Sequence, residues 1–373
     1  MNNKIRISFW VIALSLLTQK VGAQNDLSSV FSTAGDLNKI TSGYIKPLGI
    51  GFATGIGSSW YNTASTHHTL GFDISIKAGA ILVPTSDQTF DLTGLDKNLK
   101  VANNATTAPS FAGSGDGVGL SLYSSSSTVG STTYKGQKLI DMKTPKGISN
   151  IIPTICLQGS VGLPFKTELS LRYLPETKYK GMSCSLWGIG IKHDIKQWIP
   201  VVNKLPFSLS LMVAYTKFNL DYNFDKSIVP ANLIDTISTN TSLVYQTPVV
   251  YDKNNKEGFG LTSTSFMANV IISKDLLFFT PYLGLGFSQN NFNFGFNGHF
   301  PTLNGIDSVK TLSNKKLSYD VKDLNNPIQL AYNTFMPNAT VGFKIKLLLL
   351  ALSAQYTFQQ YPSASVSVGL GLR

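Results

Sequence analysis

Cysteine, charge and histidine are all scarce in this chain of 373 residues. Cys156 and Cys184 are its only cysteines, Asp, Glu, Lys and Arg together make up 14%, and there are four histidines. The shortage of histidine leaves enzyme chemistry little to work with. His67-His68 can bind metal, but no other cluster with ligand spacing accompanies the pair, so it reads as a solvated turn. His193 beside Asp194, with serines in neighbouring strands, can be drawn as a hydrolytic triad. Adjacent residues of a strand point to opposite faces, however, which breaks that drawing. His299 sits in a polar loop. No catalytic residue, metal or cofactor is expected. Long apolar runs are missing too. After the N-terminal residues there is none apart from the short leucine stretch at Leu347 to Leu350, so no transmembrane helix is available.

The chain opens with Lys4 and Arg6, an apolar run from Ile7 to Leu17, and small residues Gly22 and Ala23. That pattern predicts a secretory signal peptide over 1–23, cleaved after Ala23. The formal charge of +11 stays positive once Lys4, Arg6 and Lys20 are removed. Nucleic-acid binding has only this net charge behind it, and the spread of basic residues suits anionic lipid headgroups better. Low charge combined with 32 glycines, 22 phenylalanines and 15 tyrosines is unusual for a soluble exported protein. It fits a membrane β-barrel, in which lipid-facing and lumen-facing residues alternate and average out.

The alternation is explicit. Phe165, Thr167, Leu169, Leu171 and Tyr173 share one face of a strand, against Lys166, Glu168, Ser170 and Arg172 on the other. The period recurs from Phe207 to Tyr215, from Leu70 to Val83, and in three segments between Pro337 and Leu372. If the final strand ends in the periplasm, the turns near Lys346, Lys274, Lys196 and Pro164 all fall on that side. The loops at 84–150, 223–257 and 297–334 all fall outside the cell. This sorting of short turns and long loops belongs to outer-membrane barrels. The expected fold is therefore an all-β antiparallel transmembrane barrel of about twelve strands, in the range 10 to 14.

Residues 24–46, with apolar positions at rough helical spacing, are expected to form a plug-like helical segment. Gly49 to Trp60 interleaves Gly49, Gly51, Gly55 and Gly57 with Leu48, Ile50, Phe52 and Ile56. It matches neither phosphate-loop spacing and reads as a strand with small inward residues. Pro175 to Lys180 reads as a loop, and the long loop at 84–150 as coil with one hairpin near Val118 to Tyr123. Cys156 and Cys184 would lie two strand spacings apart, ~9.5 Å, beyond the ~7 Å a disulfide tolerates.

On this phase Lys77, Lys166, Glu168, Arg172, Lys192, Lys344 and Lys346 face the lumen. They form either a structural ladder or an electropositive path selecting anionic or amphiphilic solutes. Trp198, Trp187, Trp60 and Tyr215 are expected at the membrane interface.

The run Gly162-Leu163-Pro164-Phe165-Lys166-Thr167-Glu168 through Arg172-Tyr173-Leu174-Pro175, followed by Gly188 to Pro200, resembles a family of uncharacterised outer-membrane barrel proteins of Gram-negative bacteria. Ser59-Trp60-Tyr61-Asn62-Thr63-Ala64 and Gly71-Phe72-Asp73 match it as well. The resemblance implies fold and an outer-membrane location, and brings no activity with it. More distantly, a plug-like segment before a mid-sized barrel is similar to the long-chain fatty-acid transporters of the outer membrane. The expected function is a channel or transporter for small hydrophobic or amphiphilic molecules. A structural or surface-interaction protein with a closed lumen is the alternative, and a barrel lipid hydrolase ranks below both. Expected partners are the lipid bilayer and lipopolysaccharide, the outer-membrane assembly machinery and such small molecules, without nucleic acid. A monomer is expected.

Overall fold

The computed structural model describes residues 34–123, 127–129, 131–134, 138–179, 181–224, 241–245, 257–306 and 317–372. The expected signal peptide and the first residues of the helical segment lie outside them. Ten strands form the wall: β1 Phe72–Leu82, β2 Ile151–Leu163, β3 Thr167–Tyr179, β4 Met182–Asp194, β5 Ser208–Asn223, β6 Gly258–Ser273, β7 Phe279–Asn297, β8 Gln329–Leu347, β9 Leu350–Phe358 and β10 Ser363–Leu372. Each pairs antiparallel with its neighbours in sequence, and β1 zips to β10 from Phe72↔Leu372 to Ile81↔Ser363. The sheet is thus a closed barrel, and closure leaves no strand edge unpaired at the seam. The strand number is the lower limit of the expected range, because the N-terminal segment and the loop hairpins do not join the wall.

Outward positions carry large apolar side chains that remain exposed, among them Ile74, Leu171, Ile191, Leu285 and Val366. Leaving one such residue in water forgoes about 1.5–3 kcal/mol, and here they encircle the molecule. The ring is a surface built for hydrocarbon. No helix among the described residues is long and apolar enough to cross a membrane.

Toward the long-loop end the polarity turns inside out. On β5, Phe218 and Leu220 point inward and are buried, while Asp221 faces out and is exposed. On β7 the change falls between inward Asn290 and inward Phe292, with Gln289 and Asn293 outside. Aromatic contacts cluster near this level: Trp187 with Tyr215 at 5.4 Å, Phe287 with Phe335 at 5.2 Å, and Tyr356 with Phe358 at 4.7 Å. Aromatic rings gather where hydrocarbon gives way to headgroups. Above that level the barrel has an apolar core of its own, centred on Phe292, Phe294, Phe296 and Phe300.

Three local expectations are corrected. Gly49 to Trp60 is not a strand: helix α1, Ala34–Gly57, runs through most of it. A helix surrounded by wall is buried on several sides, so it lacks the one-sided apolar stripe that would announce it. Its glycines admit wall side chains; a Cβ at Gly49 would stand 2.4 Å from the Phe292 ring, and one at Gly55 2.3 Å from Thr154. Pro175 to Lys180 is not a loop either, since β3 runs on to Tyr179 with a register shift between Leu174 and Thr177. The loop between β1 and β2 holds more than one hairpin. Leu99–Val101, Gly119–Tyr123 and Lys138–Lys143 form one small sheet, and Thr89–Asp91 pairs with Thr107–Pro109.

The β7–β8 hairpin also continues beyond the wall. Gly298, at φ +110°, bends the chain into His299–Ile306, which pairs with Leu317–Asn325 and is joined through it by Thr241–Tyr245.

Replacing Gly49 by leucine would force its side chain into Phe292, which is almost fully buried. We expect the substitution to lower stability by about 1–3 kcal/mol, seen as a lower temperature for loss of the heat-modifiable folded band on gels. An unchanged melting temperature would show that α1 does not seat against β7.

Candidate functional site

Helix α1 enters at the long-loop end, where Leu37 joins the aromatic core and the Ser42 hydroxyl meets Tyr332 at 2.7 Å. Further down it passes Phe292, Met336 and Ile81, contacts that belong to different sectors of the wall. The helix is therefore inside the barrel. From Ser58 the chain straightens into a strap that descends the remaining lumen to Gly71, where β1 begins.

An α-helix satisfies its own backbone, but an extended strap in a lumen does not. The wall supplies what is missing. Arg172 on β3 donates to the carbonyls of Ile56 at 2.9 Å and Ser58 at 2.8 Å, and through Nε to Gln158 Oε1 at 3.1 Å. Lys77 on β1 donates to Ser59, Gln158 on β2 to Trp60 at 3.0 Å, Lys192 on β4 to Thr63 at 3.4 Å, and Ser210 on β5 to Ala64. The guanidinium of Arg172 also lies 3.9 Å from the Trp60 ring, a cation–π contact strengthened by the absence of water.

Small wall residues make room for the strap's aromatics. A Cβ at Gly190 would stand 2.9 Å from Trp60, and one at Gly284 2.1 Å from the Tyr61 hydroxyl.

The lower end of the strap is fastened by an ion cluster. Glu168 lies 3.0 Å from Lys192 through one oxygen and 2.7 Å from His67 Nδ1 through the other, and the His67 backbone N–H donates to the same carboxylate at 3.2 Å. His67 Nε2 is 4.0 Å from Asp73. Below it, Ser273 accepts from the Ala64 N–H at 3.0 Å, and Ser65 donates to Asp275 at 2.9 Å. Nearer the long-loop end, the Tyr361 hydroxyl donates to Asp87 at 2.5 Å and ties the β9–β10 turn to the β1–β2 loop. Burial first, and the adjacent Asp87 second, push the Tyr361 pKa upward, so the phenol keeps its proton.

Of the residues singled out from sequence, Lys77, Glu168, Arg172, Lys192 and Lys344 are buried and point inward, with Lys344 donating to Asn62 at 3.3 Å. Lys166 does not line the lumen. It sits in the β2–β3 turn at φ +51°, with its side chain 57% exposed and 3.5 Å from Asp194. The strand alternation stops at Thr167, one residue short of it. Lys346, one residue before the end of β8, is on the same face as Lys344 and beside the same cavity, and is exposed at the short-turn rim.

Trp187 and Tyr215 stand in the outer aromatic cluster, and Trp198 is exposed beyond β4, donating its indole N–H to His193 at 2.9 Å. Trp60 is not at the interface: it is buried in the lumen under Arg172. His67 is not solvated either, being held by Glu168. Cys156 and Cys184 are both free thiols.

The strap itself escaped sequence reasoning, together with Gln158 and Asp73. The available signal was Trp60-Tyr61 placed just before a wall strand, facing the paired glycines Gly188 and Gly190.

The space left over is small. A cavity of ≈ 290 Å³, counting open solvent, adjoins Lys77, Ile56, Ile155, Cys156 and Leu186. Another of ≈ 300 Å³ lies at the short-turn end beside His67, Asp73, Lys344 and Lys346. The arrangement binds the chain's own N-terminal segment.

Residues 1–372 match a protein family described as a family of unknown function, DUF6588. No curated protein matches the sequence. Among solved structures, the chain is similar to Ail, the attachment invasion locus protein of Yersinia pestis, at 7% identity and TM-score 0.25, covering 81% of this chain and 97% of that one. It is also similar to the translocator domain of the autotransporter NalP from Neisseria meningitidis, at 9% identity and TM-score 0.28, covering 92% and 99%. A third is the outer membrane transporter YddB from Escherichia coli, at 7% identity and TM-score 0.29, covering 81% and 43%.

Arg172→Met would leave the Ile56 and Ser58 carbonyls buried without donors. At about 1–3 kcal/mol for each, we expect a marked fall in the urea midpoint and new proteolytic cleavage near residue 58, with Arg172→Lys intermediate. Resistance equal to wild type would mean that the strap is held elsewhere.

Proposed function

The chain belongs to DUF6588, a family of unknown function, and for it we propose an outer-membrane barrel kept shut by its own N-terminal segment, whose loop-built platform meets partners at the cell surface. The observation that carries this reading is the run of carbonyls from the last turn of α1 through the strap, Ile56, Ser58, Ser59, Trp60, Thr63 and Ala64, each met by a wall side chain. Side chains that would otherwise make a selective path are spent on the strap. Short turns then face the periplasm and the sheets of the long loops face outward, in the usual outer-membrane sense.

The reading is non-catalytic: His67 is engaged by carboxylates, and His193 by Thr167 and Trp198. It takes the protein as a monomer inserted by the outer-membrane assembly machinery, with lipopolysaccharide around the polar outer wall.

One feature favours a second reading, passage of a small hydrophobic or amphiphilic molecule when the strap lets go. The cavity beside Lys77 combines that cation with apolar Ile56, Ile155 and Leu186, a lining suited to an amphiphile. Planar-bilayer recording separates the two. The full-length protein is expected to pass no steady current, and a form lacking residues 24–70, helix and strap together, to conduct. Steady current through the intact protein would refute the closed-lumen reading.

Orientation is checked on intact cells with a membrane-impermeant maleimide, after Cys156→Ser and Cys184→Ser. Lys39→Cys is expected to label and Lys204→Cys to stay dark, and the reverse pattern would overturn the assignment of sides.

A further inference from the structure

Left-handed backbone is usually left to glycine or asparagine, because a Cβ crowds the following carbonyl there. Toward the long loops this chain follows that habit, with Gly94, Asn103, Asn104, Gly115, Gly181, Gly298 and Asn326 at positive φ. At the short-turn end it does the opposite. Leu70 at φ +68°, Phe165 at +60°, Leu277 at +53° and Leu348 at +54° occupy the strained positions. These bulky residues are also among the most exposed in the molecule, at 81%, 80%, 98% and 92%. Tight turns that glycine would relax are instead tipped with large apolar side chains, which points to something apolar that the tips enter.

Three of the four tips have a lysine within three residues: Lys166 follows Phe165, Lys274 lies three residues before Leu277 and Lys346 two before Leu348, while Leu70 has none. The β4–β5 connection repeats the pairing, with Trp198 and Val201 exposed between Lys196 and Lys204. The carboxylates at this rim have partners: Asp194 faces Lys166 at 3.5 Å, and Asp275 holds Ser65 and Thr280.

From this pairing of apolar tip and lysine in successive turns, we propose that the short-turn rim is a binding surface for anionic phospholipid of the adjoining leaflet. The tips would lie in the acyl region and the lysines on the headgroup phosphates. The turns β2–β3, β4–β5, β6–β7 and β8–β9 are spread around the closed sheet, so a lipid annulus meets all of them at once, whereas a protein partner would need one sector. The rim is also continuous with the apolar belt of the wall. At the β8–β9 turn Lys346 lies beside Leu348, Leu349 and Leu350, with the buried Lys344 behind it.

The inference rests on the membrane-barrel reading, and the test keeps the two apart. Full-length protein is reconstituted into phosphatidylcholine vesicles containing equal mole fractions of brominated phosphatidylglycerol or brominated phosphatidylcholine, and quenching of Trp198 is isolated by difference against Trp198→Phe. Bromines on phosphatidylglycerol are expected to quench Trp198 with an apparent affinity about fivefold higher for each lysine engaged. Joint replacement of Lys166, Lys196, Lys204, Lys274 and Lys346 by glutamine should bring the ratio to unity.

Leu277→Gly with Leu348→Gly relaxes the turns, and should leave melting in detergent unchanged or raised while quenching by either lipid falls. Equal quenching by the two lipids in the wild type, the result a rim reserved for a protein partner would give, overturns the proposal. So does a preference that survives the lysine replacements, or glycine variants that quench like wild type. Failure to insert into either vesicle would instead sink the barrel reading itself.

Discussion

A polypeptide that passes down the inside of a barrel brings its carbonyl groups with it, and each must find a hydrogen-bond donor where little water can follow. Helix α1 meets the requirement itself except in its last turn, where Arg172 takes the Ile56 carbonyl, whereas the strap after it cannot, and much of the lumen chemistry follows from that difference. Arg172, Lys77 and Lys192 are cations that burial would penalise heavily if they stood unpaired. The strap's carbonyls would be penalised in the same way. Brought together, each settles the other, and the glycines of β4 and β7 let the two chains approach closely enough to do so. The ion cluster of Glu168, Lys192 and His67 is the same solution at the lower end, with a full negative charge in place of a carbonyl dipole.

The reversal of polarity along the wall divides the barrel into two levels with different rules. In the lower one, hydrocarbon outside and a polar strap inside require alternation of apolar and polar residues. In the upper one, water outside and α1 inside require the opposite phase, and the phenylalanines of β7 form an ordinary dry core against Leu37. A single strand such as β5 or β7 serves both levels without changing its backbone. Only the side-chain pattern changes at the aromatic cluster.

The lower level was the readable part of the sequence. A period of two with one apolar face is a strong signal, and it alone places Leu171, Ile191 and Val366 outward. The sorting of turns and loops, which gave the direction of each strand, is likewise visible in spacing alone. Gly49 to Trp60 misled because an internal helix, walled on several sides, spreads its apolar residues round its circumference, and a chance alternation with glycine then imitates a strand. The same alternation carries Lys166 inward although β3 begins one residue later, at Thr167, and nothing in the local sequence marks that end. Trp60 looked interfacial because aromatics in such chains usually are. Its place beneath Arg172 depends on a pairing between residues far apart in sequence, which no local pattern records.

The strap is joined directly to β1, and β1 is one side of the seam, with β10 the other. Cork and closing edge are therefore covalent neighbours, and the stopper is tied to the strand that pairs across the seam. Any pull that drew the strap out of the lumen would act directly on the hydrogen bonds that close the ring.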